Sequence, residues 1–199
     1  MAERARRQPA VAPQALRPRG IRLGERMGLG KIDLRGNAGD RAFMTGVGRV
    51  LDLLLPTEPN GSASKNAITA LWLGPDQWLL TCPEDDAAFF INSLREALAD
   101  VHAALTDQSD GRVAFALAGP SARDVLAKGC PLDLHPRSFT PGSSAQSLLA
   151  KADVLIHLRA DDPRHGPTFD LYVARSFAHY LWAWLEDAGL EYGVQVDAP

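Results

Sequence analysis

Short apolar runs alternate with stretches of helical period along this chain. Val113 to Ala118 is apolar nearly throughout and is bounded by glycines at 111 and 119, which predicts a buried strand. Gly119 breaks that strand. Pro120 follows at the first helical position, where its missing N–H costs nothing. Ala122, Val125 and Leu126 then recur at helical spacing. A weaker copy of this strand–corner–helix unit lies upstream. Lys31 to Arg35 is a strand, Gly36-Asn37 a corner, and a helix runs from about Gly39 into Leu51, with Gly46 and Gly48 weakening it.

The remaining pattern fills in two similar halves. Pro56 to Ser64 predicts a turn-rich, mobile loop. Ile68 to Leu73 and Trp78 to Cys82 predict strands joined by Gly74-Pro75-Asp76-Gln77 as a hairpin. Pro83-Glu84-Asp85-Asp86 is a helix start with acids in its first turn, and the helix reaches about Ala99 with Phe90, Leu94 and Leu98 inward. His102 to Asp107 returns as a strand. In the second half, residues 129–142 are irregular. Ser144 to Arg159 is extended, as one long strand bent near Lys151-Ala152-Asp153. Asp161 to Pro167 is a loop, and Phe169 to Val173 a strand. Arg175 to Ala188 is a helix capped by Gly189, and Tyr192 to Val196 is a last strand.

Two faint internal matches tie the halves together. Ile32-Asp-Leu-Arg-Gly36 aligns with Phe115-Ala-Leu-Ala-Gly119. Trp78-Leu-Leu-Thr-Cys82 aligns with Phe169-Asp-Leu-Tyr-Val173, at a spacing that implies a longer hairpin in the second half. The pattern predicts an α+β fold of two tandem split β-α-β (ferredoxin-like) units with antiparallel sheets. Residues 23–109 form the first β-α-β-β-α-β unit and 110–199 the second, in one compact body. Residues 1–22 precede them as a disordered basic arm.

Charge sharpens that division. The 199 residues carry a formal net charge of -3. Seven arginines and two glutamates fall within residues 1–26, so the rest holds 14 of the 21 basic and 22 of the 24 acidic residues. A basic arm on an acidic body suits a tail that orders against an acidic partner. Nucleic acid is disfavoured, because the body offers no basic face to extend the arm's grip. The Arg- and Ala-rich start also imitates a mitochondrial transit peptide. No apolar run approaches the roughly 20 residues of a membrane span, and no apolar core marks a secretory leader. Cys82 and Cys130 form no ligand-spaced pair, which predicts a reduced, cytoplasmic setting.

Candidate chemistry is sparse. Gly24, Gly28 and Gly30 lie in a loop-like segment that no strand precedes, at the wrong spacing for a dinucleotide loop, and no P-loop is present. His102, His135, His157, His165 and His179 lack metal-ligand spacing and read as structural or surface residues. Ser121 follows a strand but lacks the GxSxG pattern of a nucleophile elbow. Asp85-Asp86 and Asp161-Asp162 read as a helix start and a solvated loop. No catalytic residue, cofactor site or metal site is assigned to this chain. On the final helix, Phe177, Leu181, Trp184, Leu185 and Ala188 form one apolar stripe with Tyr180 at its border. Trp182 falls about 140° from Phe177. It lies under the arm or a loop, or anchors a protein–protein contact. Trp182, with Arg17, Arg19 and Arg22 of the arm, is the candidate partner interface.

Several of these segments together resemble the gamma subunit of heterotetrameric sarcosine oxidase. They are Leu71-Trp-Leu-Gly-Pro-Asp-Gln-Trp-Leu-Leu80, Asp107-Gln-Ser-Asp-Gly-Arg112 leading into Leu117-Ala-Gly-Pro-Ser-Ala-Arg-Asp-Val-Leu126, Cys130-Pro-Leu-Asp-Leu134, and Phe169-Asp-Leu-Tyr-Val-Ala-Arg-Ser-Phe177. The similarity runs from about Leu23 to Gly193 and leaves out the arm. A more distant likeness is to the folate-binding part of the glycine-cleavage T-protein, an aminomethyltransferase. The resemblance implies an accessory, non-catalytic subunit that stabilises the large subunit of a complex with alpha, beta and delta chains. Such a complex oxidatively demethylates sarcosine, yielding glycine, hydrogen peroxide and a one-carbon unit on tetrahydrofolate. FAD, FMN, NAD and tetrahydrofolate are then held by the larger subunits. No folate-contacting motif maps onto particular positions here. The alternative is a free-standing folate-binding or aminomethyltransferase-like module.

Overall fold

Two antiparallel-built sheets lie face to face, each covered on its outer side by a pair of helices. The computed structural model describes residues 20–197. The chain runs β1 (Ile21–Glu25), β2 (Leu29–Gly36), α1 (Arg41–Leu51), β3 (Ser62–Lys65), β4 (Ile68–Gly74), β5 (Gln77–Pro83), α2 (Ala87–Ala97) and β6 (Ala103–Asp107). It continues with β7 (Arg112–Ala118), α3 (Ala122–Ala127), β8 (Ser144–Leu149), β9 (Ala152–Asp162), β10 (Gly166–Ala174), α4 (Ala178–Gly189) and β11 (Val194–Val196). Strand order is β3-β4-β5-β2-β6 in the first sheet and β11-β1-β7-β10-β9-β8 in the second. Pairings are antiparallel except that of β1 with β11.

Each sheet contains a split β-α-β unit. β2 and β7 hold the same place in their sheets, as do β5 and β10, so the two internal sequence matches fall on equivalent strands. Side-chain parity agrees as well. Ile32, Leu34, Trp78 and Leu80 face α1 and α2, while Phe115, Leu117, Phe169 and Leu171 face α3 and α4. A third, smaller core of Leu71, Leu73, Leu79, Ala114, Leu155 and Tyr172 fills the space between the sheets. Period-two alternation therefore buries both faces of the central strands.

α1 starts where Asp40 Oδ1 accepts a hydrogen bond of 2.8 Å from the Ala42 N–H, satisfying one of the donors that every helix start leaves open. Asp40→Ala is expected to cost about 1 kcal/mol, read as a lowered midpoint in urea unfolding.

Several sequence expectations are corrected. Ile21–Glu25 is a strand, not arm or loop. It crosses into the second sheet between β7 and β11, so a strand does precede Gly28, and Gly30 lies inside β2. Residues 20–22 therefore leave the predicted arm; the rest of it, residues 1–19, lies outside the described residues. The loop over 56–64 contains the start of β3, tied to the other sheet by a bridge between Gly61 and Ser143. The long bent strand is a tight hairpin of β8 and β9, turned at Ala150 with φ 54°. Ile91 joins Leu94 and Leu98 in the buried core, with Phe90 only partly buried against it, and Phe177 is 44% exposed in the turn before α4. Gly189 does not cap α4. Its φ is -85°, and a Cβ there would sit 2.4 Å from Ile21 Cδ1, so it is small to let the helix close onto β1.

Candidate functional site

Two places gather polar and aromatic side chains. The first is a groove between the start of α4 and the end of the second sheet. Its wall is Trp182, half-buried, with its ring edge-to-face on Phe115 at 5.2 Å and 65°. Val113 and Phe115 form the apolar floor, and Glu25, Arg175, His179 and Asp197 form the polar rim of a cavity of about 490 Å³. Trp182 turns away from the stripe of Leu181, Leu185 and Ala188, as its helical phase requires. Glu25 of β1 and Val196 of β11 line the same groove. Arg22 projects from β1 and grips Asp197 with Nη2 at 3.0 and 3.1 Å from the two carboxylate oxygens. Asp197 thus links Arg22 to the groove that Trp182 lines. Arg17 and Arg19 lie outside the described residues.

The second place is on the face of the second sheet that looks toward the first. Asp170 on β10 is 1% exposed. Its Oδ2 pairs with Arg26 Nη1 and lies 3.6 Å from Arg159 Nε, and the Tyr172 hydroxyl donates to it at 3.4 Å. Tyr172 also bonds Thr81 of the opposite sheet. Burial raises the Asp170 pKa above the usual carboxylate range, against the pull of the two guanidiniums. His157 on β9 is pushed down to about 4, first by burial and then by Arg159 and Arg26. An NMR titration is expected to place the His157 midpoint near 4 rather than near 6.5, and a midpoint above about 6 would contradict this environment. Among the described residues, no group of three or more His, Cys, Asp and Glu side chains is placed to hold a metal ion.

His157 reads from the sequence as structural, and Asp170, Arg26 and Arg159 are not among the sequence candidates. A signal was present: Asp170 is the lone acid in the apolar strand Phe169-Asp-Leu-Tyr-Val173, and a buried carboxylate needs a partner. The five histidines do not converge, and Ser121 lies beside Gly20, accepting no role beyond the corner before α3.

The duplicated α+β fold with helices outside and two sheets inside defines the class first. A crystal structure of aminomethyltransferase T from Bartonella henselae superposes with a TM-score of 0.65 at 16% identity, covering 91% of this chain and 48% of the other, so the chain spans about half of that longer protein. At that identity the likeness is one of fold. The family is narrower: residues 35–191 match the sarcosine oxidase, gamma subunit family, and the chain belongs to it. The gamma subunit of sarcosine oxidase from Corynebacterium sp. strain U-96 is 32% identical over 164 residues, 82% of this chain and 75% of that protein. A chain of the heterotetrameric sarcosine oxidase from Corynebacterium sp. U-96, solved in complex with pyrrole 2-carboxylate, superposes with a TM-score of 0.79 at 28% identity. It covers 89% of this chain and 88% of its own. Among the described residues, no helix is long and apolar enough to cross a membrane.

Proposed function

We propose that this chain is the accessory gamma subunit of a heterotetrameric sarcosine oxidase in the cytoplasm. It assembles with alpha, beta and delta subunits and stabilises the largest of them. The complex demethylates sarcosine to glycine, with hydrogen peroxide and a folate-bound one-carbon unit as the other products. FAD, FMN, NAD and tetrahydrofolate belong to the larger subunits. The observation that carries this reading is the superposition, over nearly the whole of both chains, on a chain of a heterotetrameric enzyme of that kind. The state of the buried carboxylate supports a non-catalytic role: Asp170 is already engaged by the part-exposed guanidiniums of Arg26 and Arg159.

The groove at Trp182, with Arg22 joined to it through Asp197, is the surface we assign to the large subunit. Trp182→Ala is expected to weaken that association about tenfold or more, as loss of an aromatic anchor does, measured by titration of labelled chain into the large subunit. Unchanged affinity would place the interface elsewhere. The reading as a whole is tested by purifying the tagged chain from its native host at moderate salt and recording an absorption spectrum. A yellow, flavin-bearing assembly with larger subunits supports it. A colourless single species opposes it and favours a free-standing folate-type module, which tetrahydrofolate at saturation would then stabilise against heat.

A further inference from the structure

Between the sheets, two buried acceptors receive no hydrogen from the protein. Asp170 and His157 face each other across β10 and β9, so their Cβ atoms are about 5 Å apart on one face of the sheet. They are 1% and 4% exposed. Arg26, Arg159 and Tyr172 all approach Oδ2 of Asp170, and Oδ1 has no protein partner. The ring of His157 has a defined tautomer. Ser62 Oγ spends its one proton on Gly142 O at 2.7 Å, so toward His157 Nε2, 3.3 Å away, it can only accept. Nε2 therefore carries the hydrogen, and Nδ1 presents a bare lone pair, also without a protein partner.

We propose that Asp170 Oδ1 and His157 Nδ1 together hold one buried water molecule, which donates a hydrogen to each. The two paired residues each leave one acceptor open, and a ligand with two donors would serve both. An ammonium group would supply them, but two guanidiniums already outnumber the single carboxylate, and a third positive charge is opposed. A neutral donor of water's size meets both requirements, and a buried water typically makes two to four such bonds. Arg26 or Arg159 supplies a third by donating an N–H to its oxygen. Left bare, each acceptor would carry the cost of burying an unsatisfied polar group. The site fastens β9 to β10 beside the point where Arg26, carried in from β1, closes the polar core. It is independent of the oxidase reading.

The full-length chain labelled with 15N-histidine tests the tautomer. Between pH 5.5 and 8, His157 is expected to show the Nε2–H form. A neutron or atomic-resolution structure grown without ammonium salts is expected to show one water within about 3.2 Å of both acceptors. In His157→Phe, that water is expected to be lost. The Nδ1–H tautomer would overturn the proposal. So would a protonated Asp170 donating directly to Nδ1, or two acceptors with no solvent between them. If His157→Phe does not fold, the wild-type tautomer and density still decide.

Discussion

Gly119→Ala is expected to unseat β1 and to destabilise the chain by about 3 kcal/mol or more. Gly119 has φ 125°, a conformation L side chains rarely adopt. A Cβ there would lie 2.4 Å from Gly20 O and 2.9 Å from Ile21 Cα. Both neighbours are backbone and cannot swing aside. They belong to the point where β1 enters between β7 and β11, and the Ser121 N–H bonds Gly20 O at 3.2 Å there. Losing that seat also loosens Glu25 and Arg26, so the groove and the polar core are affected together. The measurement is urea unfolding with hydrogen-exchange protection of residues 21–25. A midpoint equal to that of the unsubstituted chain would show that β1 accommodates the methyl. Gly48→Ala is the control. Its Cβ would meet nothing closer than 3.7 Å in the middle of α1, so it is expected to stabilise by about 0.5–1 kcal/mol.

Asp170→Ala is the second large effect, about 2–3 kcal/mol of destabilisation. The substitution leaves Arg26 and Arg159 near each other without their shared anion, and it removes the acceptor of the Tyr172 hydroxyl. Arg26 and Arg159 are 29% and 44% exposed, so solvent relieves part of the cost, and the effect falls short of a fully buried pair. Replacing the whole cluster, as Arg26→Met with Asp170→Leu and Arg159→Met, is expected to recover most of the loss. If Asp170→Ala alone were neutral in urea unfolding, the cluster would not contribute to holding the sheets.

The parts of the fold that the sequence discloses are those whose pattern is local. β2, β5, β7 and β10 carry apolar side chains in a parity that two sequence segments share, and each is followed within a few residues by its turn or helix. β1 is different. Ile21-Arg-Leu-Gly-Glu25 is short, lies between glycines, and finds its partners at Phe115–Ala118 and Val194–Val196, far along the chain. β3 is a polar edge strand, Ser62-Ala-Ser-Lys65, with no apolar alternation to mark it. Gly189 satisfies the sequence rule for a helix end, yet its smallness serves a contact with Ile21 that no local window contains. Trp182 is legible as off the apolar stripe by helical phase alone. Its partner Phe115 and the rim residue Asp197 become neighbours only through the sheet. Asp170 is visible as an acid in an apolar strand, whereas Arg26 reaches it from just past β1 and Arg159 from β9.

The proposed role is that this chain supports the oxidase without taking part in its chemistry. The direct test is reconstitution: sarcosine turnover and thermal half-life of the alpha, beta and delta subunits, with and without this chain. The chain is expected to join the assembly and lengthen the half-life while turnover per intact complex stays within about twofold. A collapse of turnover in an otherwise intact, flavin-loaded complex lacking this chain would contradict it, and so would failure of the chain to associate.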